Sequence, residues 1–334
     1  MRKQRIFQIN TELHKVTGIQ RVILDIHAAI KDVFEAKIVG LSSWKRLNQN
    51  LHISENEYLK LSNPFILRNS IVIVHERRLL PFMWILTHIP FLNIKCIYVH
   101  HNELYGNKFL SLFPKHIIAI SDAGIQNLTT YFNVPYSHIT KIHNCVIEND
   151  TPILRNRKFS PEEIRILYPA RINQVKRQIE IVNHLKDKID KRVKIHFAGI
   201  GPQYDKLKEL CQDDDQFSVL GFCDNIQQLM CESYDFVMLF SKHEGLPISL
   251  IEANKVKIPI ICNNVGGNQE IVSNGINGII AENWDTLIST INKLPTFTQY
   301  DWDKMSQNSY NIFLHKFNFE TFKERYLNLL NSLK

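Results

Sequence analysis

The sequence predicts an α/β protein made of two Rossmann-like halves, each a parallel sheet with helices on its faces. Three observations carry that expectation. Short runs rich in Ile, Val and Phe, such as Ser70–His75, Ile94–Val99, Ile164–Tyr168 and Phe236–Phe240, lack the polar alternation of a half-exposed strand. They read as strands buried on both faces. Between them lie stretches with apolar residues at helical spacing, the β-α alternation of a parallel sheet. At 334 residues, 44% of them hydrophobic, the chain is too long for one ordinary core. A polar stretch carrying Pro152 and Pro161 interrupts it. We therefore expect a first domain over 1–147, a linker over 148–162, a second domain over 163–316 and a closing helix over 317–334.

Arg5–Asn10 is the first strand. TELHKVTGIQ is a strand-to-helix loop, and the helix from Ile19 buries Val22, Ile23, Ile26 and Ile30. Alternation in Ala36–Ser42 gives a second strand, and 44–63 is polar and irregular. After Ser70–His75, Glu76-Arg77-Arg78 leads into LLPFMWILTHIPFLNI, the most apolar segment of the chain. Two readings are open for it. One is a buried helix joining two parallel strands; the other is a helix lying at a membrane interface, where Trp, Phe and flanking Arg settle. Ile94–Val99 ends in His100-His101-Asn102, at the kind of strand end where α/β proteins build sites. His116–Ile120, a helix starting after Ser121 and the segment VPYSHITKIHNCV close the first half.

Ile164–Tyr168 restarts the alternation, followed by Arg171 and, five residues on, Lys176. Val193–Ala198 leads to Gly199-Ile200-Gly201-Pro202 and a helix over 203–210. As a dinucleotide fingerprint this fails, because Tyr204 replaces the third glycine. After a strand at 217–220, a helix near 225–232 and a strand at 235–240 comes the stretch Ser241–Gly278. There Gly245 supplies a turn and Pro247 suits the first residue of a helix. Ile248, Leu250 and Ile251 fall on the buried side of that helix, and Ile258–Cys262 is the next strand. Glu244 lies on the turn, and Glu252 lies about 7.5 Å along the helix from Pro247. A diphosphate at that helix N-terminus would meet unpaired N–H groups and the positive end of the dipole. Glu252 could then accept from ribose hydroxyls, while Glu244 faces whatever the terminal phosphate carries.

EGLPISLIEA, with a strand and Gly266-Gly267 behind it, resembles the E-x7-E region of retaining glycosyltransferases of family 4. These have the GT-B fold, two facing Rossmann-like domains. The resemblance covers nearly the whole chain, best over 164–281 and least over 40–90. It implies that Arg171 and Lys176 neutralise the donor diphosphate, that Glu252 holds ribose and that Glu244 contacts the sugar. Gly245, Leu246, Pro247 and Ile248 would supply donor-binding backbone, and Gly199 and Gly201 the second-domain glycine turn. Gly18 matches what is left of a glycine-rich first loop, with Thr17 where the first glycine often sits. His101 beside Asn102 matches a His-Asp/Asn pair at the inter-domain cleft, with His100 as the alternative. The chain departs from the pattern at Pro169-Ala170, where a glycine is common, and at Arg177, where a second glycine usually lies. The closing helix is expected to pack on the first domain. Catalysis would need neither metal nor cofactor. No Asp or Glu announces itself as a nucleophile, so retention implies front-face attack with the leaving phosphate as base.

Charge is uneven. Residues 1–160 hold 20 Lys and Arg against 11 Asp and Glu, a net of +9, and 161–334 hold 20 against 22, a net of −2. An anionic partner for the first half follows, a membrane surface ahead of a nucleic acid, for which no motif is apparent. No apolar run reaches a bilayer span, and MRKQRIFQIN lacks a signal-peptide core. The six cysteines are scattered and read as reduced thiols without metal-site spacing. The expected setting is cytoplasmic, peripheral on the inner face of the membrane. The expected partners are a nucleotide sugar, UDP-linked, and a glycan or polyprenyl-linked acceptor. The expected reaction moves a hexose or N-acetylhexosamine, as in bacterial surface polysaccharide biosynthesis. Two other classes stay open: a GT-B-like sugar-nucleotide binder without turnover, and an NAD-dependent oxidoreductase.

Overall fold

Two wholly parallel sheets organise the computed structural model, which describes residues 3–148, 155 and 157–333. Much of the expected linker, 149–154 and 156, lies outside the described residues. The first sheet contains β1 (Arg5–Ile9), β2 (Glu35–Gly40), β3 (Tyr58–Lys60), β4 (Ser70–Val74), β5 (Ile94–His100), β6 (His116–Ala119) and β7 (Ile139–Lys141). Its order is β3-β2-β1-β4-β5-β6-β7. The second contains β8 (Ile164–Pro169), β9 (Val193–Ala198), β10 (Phe217–Gly221), β11 (Phe236–Leu239), β12 (Ile260–Cys262) and β13 (Gly278–Ile280), in the order β10-β9-β8-β11-β12-β13. Each order reverses at the sheet's first strand. Crossovers leave β1 and β4, and likewise β8 and β11, in opposite directions, and a crevice opens at their carboxyl ends.

The chain divides into two compact units, Met1–Ile147 with Asn318–Lys334, and Glu148–Phe317. In the first, α1 (Gly18–Ile30) starts on Thr17, whose hydroxyl accepts from the Ile19 N–H, and it buries Val22, Ile23, Ile26 and Ile30. Next come α2 (Leu80–Thr87) and α3 (Asp122–Gln126), the latter capped by Ser121 and continued by a π-helical turn to Tyr131. The second unit holds α4 (Gln178–Leu185), α5 (Tyr204–Leu210), α6 (Ile226–Ser233), α7 (Ile248–Lys255), α8 (Asn268–Ile271), α9 (Trp284–Lys293) and α10 (Gln299–Ile312). The last helix, α11 (Phe319–Ser332), packs on α1 and buries Phe322, Tyr326 and Leu330. Where the chain enters the second unit, Arg155 and Arg157 both reach the fully buried carboxylate of Asp235, at 2.9 and 3.0 Å. A buried charge needs such partners.

The apolar segment after β4 takes a form between its two readings. It does join parallel strands, as α2, but only one stripe is covered: Leu80, Met83 and Leu86 are buried, while Trp84 and Ile85 are 46% and 55% exposed. The arginines before it are used inside the unit. Arg78 Nε donates to Glu76 Oε2 at 2.6 Å. Arg77 donates to the Gly106 carbonyl at 2.8 Å and stands over the Phe132 ring.

Candidate functional site

The crevice of the second sheet gathers most of the residues singled out by sequence. The loop after β8 brings Arg171 and Lys176, and the loop after β11 brings Glu244. Lys176 Nζ lies 2.5 Å from Glu244 Oε1, and both are shielded, Glu244 being 7% exposed. This pairing joins residues that the sequence reading assigned to separate tasks. Arg171 is exposed, and among the described residues its guanidinium takes no ion pair. Its carbonyl accepts from Gln178 Nε2 at 3.1 Å, which fixes the backbone on which it stands.

Tyr168 holds the two loops together, and sequence reasoning missed it. Buried at the end of β8, its hydroxyl donates to the Lys176 carbonyl at 2.6 Å and accepts from the Phe240 N–H at 2.9 Å. Burial pushes its phenol well above the ordinary range, so it stays a neutral linker. A backbone bond from Lys242 N to Val175 O, 2.8 Å, adds a second stitch. A Tyr closing an otherwise aliphatic strand was the one available signal.

Arg177, at the expected second glycine, adopts the left-handed conformation with φ +59°. That backbone costs an ordinary residue about 1–2 kcal/mol. The side chain supplies compensation: its guanidinium stands 4.3 Å over Trp284 and 5.3 Å over Phe240, and Nε donates to Glu180 at 2.8 Å.

Glycines let the site's loops touch backbone to backbone. A Cβ on Gly199 would lie 2.1 Å from the Ala170 carbonyl oxygen, and one on Gly201 2.2 Å from that of Ile172. These two glycines therefore press the loop after β9 against the segment that carries Arg171. At Gly266, φ +55°, a Cβ would sit 2.0 Å from the Glu244 carbonyl, and Gly267 N donates to Gly245 O at 2.7 Å.

Pro247 is the N-cap of α7 rather than its first residue, and the cap carries no side-chain hydrogen bond. The cap residue's side chain thus takes none of the N–H groups at the start of α7. Leu246 and Gly245 are buried, Leu250 and Ile251 are in the core, and Ile248 is half-buried rather than on the core side. Glu252, half-buried on the same helix, accepts from Gln227 Nε2 at 3.0 Å, and Gln227 accepts in turn from Lys255.

Two predicted residues lie in the first unit. Gly18 is simply the exposed first residue of α1, with no left-handed backbone. His101 follows β5 and is buried at 7% exposure, its Nε2 3.0 Å from Nδ1 of His75. His100, the alternative, points inward: fully buried, it donates from Nε2 to Asn127 Oδ1 at 3.1 Å, and Asn127 pins Leu104. Burial pushes His100 down to about 4 and His101 down to about 3. His75 was not foreseen, although it follows β4 directly as His101 follows β5.

Residues 150–309, which hold this second crevice, match the family described as glycosyl transferases group 1. That stretch, 160 of the 334 residues, is where the likeness to the group 1 glycosyl transferases lies. Among curated proteins similar to this chain, the O-antigen biosynthesis glycosyltransferase WbnH of Escherichia coli is 26% identical over 204 residues, 57% of each chain. The poly(ribitol-phosphate) alpha-N-acetylglucosaminyltransferase of Staphylococcus aureus (strain COL) is 25% identical over 231 residues, 65% of this chain and 44% of that one. These matches leave over a third of each relative's length unaligned. The crystal structure of Anabaena Alr3699/HepE in complex with UDP superposes with a TM-score of 0.81 at 18% identity, over 98% of this chain and all of that one. Both units of the fold are therefore of the GT-B type.

Proposed function

We propose that this chain is a retaining glycosyltransferase that moves a hexose or N-acetylhexosamine from a UDP-sugar to a glycan or polyprenyl-linked acceptor, as in surface polysaccharide assembly. One observation carries the reading: Lys176, Glu244 and the side-chain-free N-terminus of α7 converge at the switch point of the second sheet, with Glu252 on the same helix. That set divides by chemistry. Arg171 and Lys176, with the N–H groups of Gly245 and Ile248, oppose the negative charge that grows on the diphosphate as the sugar bond lengthens. Glu252 accepts from ribose, Glu244 meets the sugar, and Gly199 and Gly201 shape the wall behind Arg171. In this reading the two cations supply what a metal would, the departing phosphate takes the acceptor proton, and His101 and Gly18 serve the substrate from the first unit. Anabaena HepE has been crystallised with UDP-glucose as well as UDP, which supports a UDP donor. An NAD enzyme is disfavoured because Gly199 and Gly201 are spent on loop packing and the third glycine is Tyr204.

Calorimetry with UDP tests the reading. Glu252→Ala should weaken UDP binding by about 1.5–3 kcal/mol, the worth of hydrogen bonds to a charged group, and wild type should release sugar from at least one UDP-sugar. A protein that binds UDP yet turns over none of a donor panel would be the binder without turnover.

The uncovered stripe of α2 also supports membrane contact, through Phe82, Trp84 and Ile85. No helix among the described residues is long and apolar enough to cross a membrane. With Arg77 and Arg78 engaged internally, apolar insertion has to contribute more than those two charges. Sedimentation with anionic vesicles should fall for Trp84→Ser; equal binding of both proteins would remove this role.

A further inference from the structure

Three adjacent strands of the first sheet, β1, β4 and β5, end in a chain of hydrogen bonds among Gln8, His75 and His101. Gln8 is fully buried, and its Nε2 donates to the Ile23 carbonyl at 3.1 Å. That bond fixes the amide: reversing it would set two carbonyl oxygens against each other. Gln8 Oε1 therefore faces His75 Nε2, at 3.2 Å, and an oxygen can only accept. His75 must carry its proton on Nε2. His75 and His101 are both buried and held neutral, so His75 Nδ1 is a bare lone pair, 3.0 Å from His101 Nε2. His101 must then be protonated on Nε2. Its Nδ1 keeps a lone pair and, among the described residues, takes no hydrogen bond and is not a fully enclosed orphan as Nδ1 of His100 is.

We propose that Gln8 and His75 are positioning residues that hold His101 in its Nε2–H tautomer, so that the first unit offers its substrate a hydrogen-bond acceptor and selects a hydroxyl over an anionic group. The selection follows from sign. A sugar hydroxyl can donate to a bare imidazole nitrogen, whereas a phosphate or carboxylate oxygen meets it lone pair to lone pair. The substrate part of this inference rests on the glycosyltransferase reading; the tautomer part does not. Orientation of a histidine by its other nitrogen is a known way to set which ring atom works.

The test is two-bond ¹H–¹⁵N NMR on the full chain with ¹⁵N-histidine at pH 7, the His101 signals assigned with His101→Gln. The expected pattern is a protonated Nε2 and an unprotonated Nδ1 in the wild type. Gln8→Met, which keeps length and removes the acceptor, should give a mixture of tautomers at His75 and His101. It should lower turnover of whichever UDP-sugar the wild type uses by about tenfold, with UDP affinity unchanged. Millimolar sulfate, which carries no O–H at pH 7, should leave the His101 Nδ1 signal in place. A wild-type Nδ1–H tautomer, a charged ring, or a sulfate-induced shift overturns the proposal, whether or not Gln8→Met folds. The expected tautomers in a protein that turns over no UDP-sugar would leave the positioning intact and remove the glycosyl-transfer reading instead.

Discussion

The two switch points occupy the same place in two similar sheets, yet their electrostatics are opposite. At the first, the inner polar groups are neutral: an amide and two histidines whose charged forms burial suppresses. The neighbouring carboxylate, Glu76, is taken up by Thr11 and Arg78. At the second, a lysine and a glutamate face each other, the exposed Arg171 is carried on the same loop as the lysine, and a second arginine is stacked in the wall. The parallel-sheet crevice supplies concavity in both cases. The few residues at the strand ends decide the difference: neutral hydrogen-bonding groups at the first, charged ones at the second.

The comparison breaks most easily at the charged end. Lys176→Ala should lower kcat by about 10²–10³-fold, the range for removing one donor aimed at developing charge, and should change the donor KM much less. Because Glu244 is its partner, Glu244→Gln also disturbs the lysine, and the double mutant should lose less than the two single losses combined. Strict additivity in steady-state kinetics would show that the pair does not work as a unit.

Acid should find the neutral end. His100 and His101 titrate in the folded chain near 4 and 3, against about 6.5 unfolded. Above pH 6.5 both states are neutral and stability is level. As pH falls below that, the unfolded chain takes up protons first, so each histidine removes about 1.4 kcal/mol per pH unit until its folded value is reached. Urea unfolding between pH 7 and 4.5 should show this decline, shallower by one proton in His100→Leu. A flat profile would mean that these histidines are not held neutral.

Arg177 sharpens the contrast on a smaller scale. Both Arg177→Ala and Arg177→Gly lose the stack on Trp284, but only glycine relieves the left-handed backbone. The Gly variant should be the more stable by about 1 kcal/mol, and should keep more activity because Lys176 is its neighbour. An Ala variant equal to the Gly variant in thermal denaturation would remove that backbone argument. Smallest of all, Gly18→Ala, at an exposed first helical position, should change stability by no more than about 0.5 kcal/mol. A large loss of activity with normal stability would show that substrate does approach the backbone there.

Much of this fold is legible in the chain because parallel strands covered on both faces must be aliphatic, and Ser70–Val74 or Phe236–Leu239 can be little else. The motif from Glu244 to Glu252 is legible because its turn, helix and acidic residues are local. What escapes is pairing across long separations. Nothing near Lys176 says that its partner is 68 residues on, and His75 acquires meaning only beside His101 on the next strand. In α2, uniform apolarity hides which stripe is covered, since Trp84 and Ile85 differ from Met83 in position and not in character. Arg177's conformation is equally silent, because its supports, Trp284 and Phe240, are distant in sequence.

The first unit is interrupted in the chain: it lacks its final helix until Asn318 onward has been made, and α1 has no α11 to lie against before then. The second unit is continuous and can close as soon as it leaves the ribosome. At about 5–20 residues per second, translation therefore holds the earlier-made half waiting for roughly ten to thirty seconds with the flank of α1 uncovered. The part of the polypeptide synthesised first is the part that finishes last, and it is there that a nascent chain would call on a chaperone.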